Sequence, residues 1–157
     1  MDTIHALRLL HYSAGAVGLL LGPIVMLARK ITGLHTRAGE IYFIAVTVVC
    51  ASAVILALLR WAEFAFFLPV ALGTYAIALP GYIAGKKRGR HWLLIHVIGL
   101  TSSYVAMISS FIVNNIRKVP GIPPLPFAVR ALVPMFIGTC AVAWLAWQVH
   151  LGKRPKR

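Results

Sequence analysis

A chain of 157 residues with 60% apolar residues and a mean hydropathy of +0.84 is not a soluble domain, whose apolar share is about 45–50%. Sixteen basic residues against three acidic ones give a formal net charge of +13. This charge does not indicate nucleic-acid binding, because no basic face with interleaved aromatic residues is present.

Five apolar stretches predict five transmembrane helices in one all-α bundle. Each stretch holds about 18–23 residues, close to the ~20 that a helix needs to cross a bilayer core. The predicted spans are 6–28, 41–59, 64–84, 92–114 and 131–149. They are continuously apolar and lack the alternation of membrane β-barrel strands. Because the connections are short, residues 1–157 are predicted to form a single integral-membrane domain.

Two connections carry further information. Residues 60–63 are almost all that joins the second span to the third, which predicts an antiparallel hairpin. Residues 115–130 contain four prolines and cannot be helical throughout, since each proline removes a donor and restrains its predecessor. They are predicted to form an extended loop that lies on the bundle and is capped by Phe127 near the interface.

The basic residues fall unequally on the two sides of the predicted bundle. Eleven belong to the first loop, the third loop and the carboxyl-terminal tail, and five to the opposite side. The eleven are Arg29, Lys30, Arg37, Lys86, Lys87, Arg88, Arg90, Lys153, Arg154, Lys156 and Arg157, and the five are Arg8, Arg60, Arg117, Lys118 and Arg130. The positive-inside rule therefore predicts an amino terminus outside and a carboxyl terminus in the cytoplasm. The basic loops also favour contact with anionic lipid headgroups.

The first span contains a stripe of small residues. Gly15, Gly18 and Gly22 recur at spacings of three and four, so they share one helix face and allow a neighbouring backbone to approach closely. Pro23 follows directly and is expected to bend the helix. The stripe indicates either plain helix packing or a groove that admits a flat ligand such as a porphyrin or quinone ring.

Histidines within the spans are the candidate functional residues, because polar groups in lipid are costly. His11 lies near the outer end of the first span, and His96 lies about one turn inside the cytoplasmic end of the fourth. Their depths should differ by roughly 20 Å, so one metal ion or one haem cannot join them. His35 lies in the first cytoplasmic loop. The predicted cofactor-binding residues are His35, His96 and His11.

A metal site is predicted at the cytoplasmic ends of the helices. Its candidate ligands are His35, His96, His91 and Glu40, with His150 within reach. Imidazole suits zinc, copper and iron alike, so the cofactor is haem b or a divalent transition metal. The alternative is that these histidines only form hydrogen bonds with the backbone or with headgroups. No catalytic residue is assigned.

The fourth span carries a stripe of small and polar residues over its full length. The positions, spaced by three or four, are His96, Gly99, Ser103, Met107, Ser110 and Asn114. Packing between helices is one interpretation, and a hydrated or ligand-lining face is the other. No span contains a carboxylate, so a proton- or sodium-driven transporter would lack its usual coupling group. No nucleophile with an oriented base is visible, so a hydrolase function has almost no support.

Short motifs resemble the domain-of-unknown-function 2306 family of small bacterial polytopic membrane proteins. In that family a histidine opens the first span, a Gly-Pro pair closes it and a His-x-x-x-Gly-x-x-Tyr element leads into the second. The matching residues here are His11, Gly22, Pro23, His35, Gly39 and Tyr42, and a later element runs from His96 through Ser103 and Tyr104 to Phe111 and Asn114. Glu40 stands where family members often have a basic residue. The resemblance implies a bacterial cytoplasmic membrane and adds weight to His11, His35 and His96.

Three functions remain open. The first is a redox or electron-transfer protein that holds haem or a metal ion through its histidines, beside a quinone. The second is a non-catalytic accessory subunit of a larger membrane complex, in which small-residue faces bind partner helices. The third is a small transporter or channel that uses the stripe of the fourth span.

Overall fold

The computed structural model of the protein describes residues 3–28 and 33–152, and all regular secondary structure in these ranges is helical. A 3-10 helix, Ile116–Lys118, lies between the last two α-helices. The α-helices are α1 (Thr3–Leu27), α2 (Leu34–Leu59), α3 (Trp61–Phe64), α4 (Phe67–Lys87), α5 (Trp92–Asn115) and α6 (Phe127–His150).

Five helices of the described part of the chain are long and apolar enough to cross a membrane. These helices, α1, α2, α4, α5 and α6, contain 21 to 26 residues. At about 1.5 Å per residue they are about 30–40 Å long, enough for a hydrocarbon core of ~30 Å. The predictions of an all-α chain, of five candidate spans and of a protein integral to a membrane are confirmed.

Two helices begin well before the apolar stretches that predicted them. α2 begins at Leu34 rather than at residue 41, and α6 begins at Phe127 rather than at residue 131. Pro126 occupies the position before α6, where its missing N–H costs nothing. The predicted spans differ from the helix bounds because hydropathy marks the lipid-facing part of a helix, whereas hydrogen bonding continues into the polar turns at its ends.

The connection between the second and third spans contains a short helix, α3, where the sequence analysis expected only a linker. α4 starts at Phe67, later than the predicted residue 64. The rings of Phe43 and Tyr75 stack with their centroids 6.3 Å apart. This contact brings α2 and α4 together, and the predicted antiparallel hairpin of the second and third spans stays a prediction.

The chain divides into two compact units, one ending at Leu79 and the other starting at Pro80, so the division falls within α4. Each unit has its own buried residues, among them Val46 in the first and Ser103 in the second. The prediction of a single domain over 1–157 stays a prediction.

In the first unit, α1 and α2 pack against each other with their glycines at the contact. A Cβ added at Gly15 would lie 3.9 Å from Val49 Cγ2, and one added at Gly39 would lie 3.9 Å from Val25 Cγ1. Position rises along α1 as it falls along α2, so the two helices are antiparallel. Gly18 is buried, as is Gly22. These observations favour the packing interpretation of the glycine stripe.

In the second unit, α5 and α6 form a second antiparallel pair. Gly138 of α6 lies against Val105 of α5, and a Cβ added at Gly138 would overlap the valine side chain. Nearer the connection, Arg130 Nη1 donates a hydrogen bond of 2.7 Å to the Val113 carbonyl oxygen. The pair is therefore close-packed at the glycine and tied by an arginine at one end.

The proline-rich connection is not helical throughout, as predicted. Residues 119–126 contain no helix, while the 3-10 helix precedes them and α6 follows. Arg130 fastens the connection, because its Nε donates to the Leu125 carbonyl oxygen at 3.2 Å. Its guanidinium also lies 5.8 Å from the centre of the Phe127 ring. The arginine thus holds the loop, the start of α6 and the end of α5 together.

The outward faces of the long helices are strongly apolar. In α6 only Val142 is buried, while Phe136 is 71% exposed and Ile137 is 63% exposed. Faces of this kind would be unstable in water, whereas in a bilayer they contact lipid tails. The solvent that stabilises this fold is therefore hydrocarbon.

Candidate functional site

His96 has a defined partner in the second unit. It lies in the second turn of α5, is half-buried, and its Nδ1 is 3.0 Å from the Gly81 carbonyl oxygen of α4. A carbonyl oxygen can only accept, so Nδ1 carries the proton and donates it. The Trp92 ring lies one turn away, 6.3 Å from the imidazole, and the Arg88 guanidinium lies 5.3 Å from the Trp92 ring centre.

Two glycines of α4 make room for this histidine. A Cβ added at Gly85 would lie 2.5 Å from His96 Nδ1 and 2.8 Å from its Cε1. A Cβ added at Gly81 would lie 2.9 Å from the Cα of Gly99 in α5. Gly81 and Gly85 are four residues apart and share one helix face, which lets α4 and α5 approach closely enough for the side chain of His96 to reach a backbone oxygen.

The sequence analysis missed these two glycines. They form a Gly-x-x-x-Gly motif, a pattern that in apolar segments marks the contact face of a helix. The four-residue spacing of Gly81 and Gly85 is therefore the sequence signal for this contact face.

His35 lies in the first turn of α2, and its Nδ1 is 2.9 Å from the Val25 carbonyl oxygen in the last turn of α1. The last carbonyl groups of a helix lack partners within it, and histidine is among the residues that commonly bond to them. His35 therefore caps α1, and like His96 it donates its hydrogen bond through Nδ1.

His11 faces α2 in the first unit. Its Nδ1 is 2.9 Å from Oγ of Ser52, a buried residue whose Oγ is also 2.7 Å from the Val48 carbonyl oxygen. A hydroxyl has one proton, and serine inside a helix usually donates it to the carbonyl four residues earlier. Ser52 then accepts from His11, so His11 Nδ1 is the donor. This assignment follows from the hydrogen-bond network.

All three histidines thus share one chemical arrangement. When Nδ1 donates to an oxygen, the neutral ring carries its lone pair on Nε2, the tautomer found in many metal-ligating and haem-ligating histidines. The hydrogen bond also restricts the orientation of the ring. The same bond satisfies a polar side chain in lipid, so the arrangement is compatible with both interpretations of the histidines.

The other predicted ligands are divided between the two units. His91 is exposed at the residue before α5, with a left-handed φ of 57°, and His150 is exposed at the end of α6. Glu40 is half-buried in α2. His35 and Glu40 belong to the first unit, and His91 and His96 to the second.

No group of three or more His, Cys, Asp or Glu residues that could hold a metal ion occurs in residues 3–28 and 33–152. The predicted metal site of His35, His96, His91 and Glu40 therefore receives no support and stays a prediction. Within the first unit, His11 and the His35 contact at Val25 are 14 residues of α1 apart, which is about 21 Å along the helix axis.

The polar stripe of α5 is mostly engaged with its own helix. Ser103 is fully buried and donates to the Leu100 carbonyl oxygen at 2.8 Å, and Asn114 Nδ2 donates to the Ser110 carbonyl oxygen at 2.8 Å. Ser109 is also buried, and its Oγ has no partner among the described residues. Hydroxyl groups that bond to their own backbone indicate packing rather than a hydrated path.

No family model, no curated protein and no solved structure matches this chain. The resemblance to the domain-of-unknown-function 2306 family is therefore without independent support and stays a prediction.

Proposed function

We propose that this protein is a small integral-membrane redox protein that binds haem b or a transition-metal ion through intramembrane histidines. The observation that carries the proposal is the position of His96, whose ring is held between Gly81 and Gly85 with its Nδ1 on a backbone oxygen. A histidine that binds a metal ion through one ring nitrogen usually donates a hydrogen bond from the other to an oxygen atom.

His96 and His35 are the residues that would hold the group, each in its own unit, with His11 as a further candidate. In each of the three, Nδ1 lies within 3.0 Å of an oxygen atom, and donation from Nδ1 in a neutral ring leaves the lone pair of Nε2 for a metal ion, which supports the proposal. A bound haem or metal would supply one-electron chemistry, with a quinone as the electron partner. The chain's own contribution is the orientation and desolvation of the imidazoles.

The test is the cofactor content of the purified protein. Wild-type protein should show a Soret band or a near-stoichiometric metal ion, and His96→Leu should lose it while the helices stay folded, because leucine is the better membrane residue. His35→Ala should lower the content as well. Gly85→Ala should weaken binding of the haem or metal ion by about 10–100-fold, because the new Cβ displaces the imidazole of His96 from its hydrogen bond.

The matched control is His5→Leu, since His5 is exposed at the start of α1. It should leave both absorption and metal content unchanged. A colourless, metal-free wild-type protein would contradict the proposal, and so would a His96→Leu variant with full cofactor content.

An accessory subunit is the second candidate, and the exposed face of α6 favours it. Trp144 and Trp147 are each 61% exposed near the end of this helix, and aromatic residues of this kind suit helix–helix interfaces as well as headgroups. In this case the histidines only satisfy backbone oxygens. Co-purification of a fixed partner with colourless, metal-free protein would favour this function over the first.

We also propose that the amino terminus lies outside and the carboxyl terminus in the cytoplasm of a bacterial inner membrane, the membrane that the resemblance to the domain-of-unknown-function 2306 family implies. The support is the distribution of basic residues over the connections. Six of the eleven basic residues on the predicted inner side (Arg29, Lys30, Lys153, Arg154, Lys156 and Arg157) lie outside the described residues.

Reporter fusions test this orientation. Alkaline phosphatase should be inactive and a fluorescent protein active when either is fused after Arg157, and the reverse should hold for fusions within residues 119–126. Active phosphatase at the carboxyl terminus would reverse the proposed topology.

A further inference from the structure

Among the described residues, one corner of the first unit holds two arginines and one acidic residue. Arg8 of α1, Arg60 at the end of α2 and Glu63 of α3 meet there. Glu63 forms a salt bridge with each arginine, at 3.4 Å from Arg8 Nη2. Two guanidinium groups facing one carboxylate leave one excess positive charge at this corner.

The hydrogen-bond donors of the corner are also in excess. Arg8 Nε is buried and has no hydrogen-bond partner among the described residues. Among the described residues, the Arg8 guanidinium makes one polar contact, the 3.4 Å contact of Nη2 with Glu63. The same guanidinium lies 5.6 Å from the centre of the Phe64 ring. Each arginine has five donors, and one carboxylate cannot satisfy two such sets. The corner therefore has more hydrogen-bond donors than Glu63 can satisfy.

The corner lies at the end of the bilayer-spanning part of the first unit. Arg8 is five residues after the start of α1, and Arg60 follows the last residue of α2. α3 adds Trp61, which is 58% exposed, and Phe66 beyond it is 54% exposed. Exposed aromatic residues beside arginines are typical of the depth at which lipid headgroups meet acyl chains. Phosphate is the main anion at this depth.

We propose that Arg8 and Arg60 form a binding site for a phosphate group, supplied by an anionic phospholipid whose glycerol and upper acyl chains contact Trp61 and Phe66. Guanidinium groups suit this ligand because they donate two parallel hydrogen bonds to phosphate oxygens. Both arginine side chains retain about a third or more of their exposure, at 32% and 43%, so the ligand can reach them. Glu63 holds the two arginines together and at the same time competes with the phosphate.

The proposed phosphate site uses none of the proposed histidine ligands and does not depend on a bound cofactor. It also differs from the general attraction of the basic loops for anionic membranes, because it assigns two particular arginines that belong to the less basic side of the chain. The source of the phosphate, lipid or free anion, is decided by the experiment.

The experiment measures the unfolding temperature of the full-length, detergent-purified protein. The additions are phosphatidylglycerol, phosphatidylcholine or inorganic phosphate. At about ten times its Kd, phosphatidylglycerol should raise the Tm by about 3–6 °C, and phosphatidylcholine should raise it much less. Arg8→Gln and Arg60→Gln should each lose at least about half of this rise. The matched control is Arg117→Gln, an exposed arginine of the 3-10 helix, which should keep the rise.

Glu63→Gln supplies a readout that a purely structural role would not produce. It removes the competing charge, so phosphatidylglycerol should act at a several-fold lower concentration even though the variant itself is less stable. An equal rise with inorganic phosphate would assign the site to a free anion and overturn the lipid source. The proposal is wrong if Arg8→Gln and Arg60→Gln lose no more of the rise than Arg117→Gln, or if phosphatidylcholine acts as well as phosphatidylglycerol.

Discussion

Gly81→Ala should cost about 1–3 kcal/mol of stability, and more if the helices cannot separate. The added Cβ would lie 2.9 Å from the Cα of Gly99 and 3.1 Å from the nitrogen of Leu100, both backbone atoms that no rotamer change can move. α4 and α5 would have to separate, and the hydrogen bond from His96 to the Gly81 oxygen would be stretched. Thermal unfolding in detergent, followed by circular dichroism, measures this loss.

The matched control lies on the same helix. At Gly73 an added Cβ meets no atom of the described residues within 4 Å. Gly73→Ala should therefore be neutral or should stabilise by about 0.5–1 kcal/mol, because alanine restricts the unfolded backbone more than glycine does. If the two alanine variants had the same Tm, the close contact of α4 with α5 would be wrong.

The second large effect is expected at Gly138, where α6 packs on α5. An added Cβ would overlap both Cγ atoms of Val105 and lie 3.1 Å from its Cβ. Valine in a helix has one strongly preferred rotamer, so its side chain cannot turn away, and its Cβ moves only with the backbone. Gly138→Ala should therefore cost about 1–3 kcal/mol.

The reciprocal change tests the mechanism of this loss. Val105→Ala removes the two Cγ atoms, so the double variant Val105→Ala, Gly138→Ala should recover most of the stability that Gly138→Ala loses. The recovery would appear as a coupling energy of about 0.5–3 kcal/mol in a double-mutant cycle of unfolding free energies. Additive losses at the two positions would mean that they do not touch.

The contrast between His96 and Gly81 shows how far the candidate site could be predicted. A histidine inside an apolar stretch is conspicuous in any sequence, because lipid makes each polar group expensive, and so His96 and His11 were identified directly. His35, outside the apolar stretches, was a candidate because imidazole is a common metal ligand and because the resemblance includes it. The oxygen partners of the three histidines were not identified. Two of the three are backbone carbonyls, which every residue carries, and Ser52 is 41 positions from His11. Only the packing of one helix on another selects which oxygen lies within 3.0 Å.

The helix ends show the same limit. Pro126 could have placed the start of α6 at Phe127, since proline is tolerated at the beginning of a helix and not within its interior. Hydropathy placed the start of the span at residue 131, because hydropathy does not indicate where the hydrogen bonds of a helix begin or end. α3 was not predicted, because a helix of four residues is too short to show a periodic pattern.

The amino-acid sequence by itself determined the solvent, the helical class and the number of long helices. These follow from residue-by-residue transfer energies and from the need to satisfy every backbone group within each span, and neither depends on how the spans pack. The tertiary structure decided which side chains meet: the glycines that admit His96, the carbonyl that holds His35 and the carboxylate shared by Arg8 and Arg60. In lipid the apolar surfaces of all helices are nearly equivalent, so helix pairing depends on close fit and on a few polar contacts, and these arise only when two distant segments lie side by side.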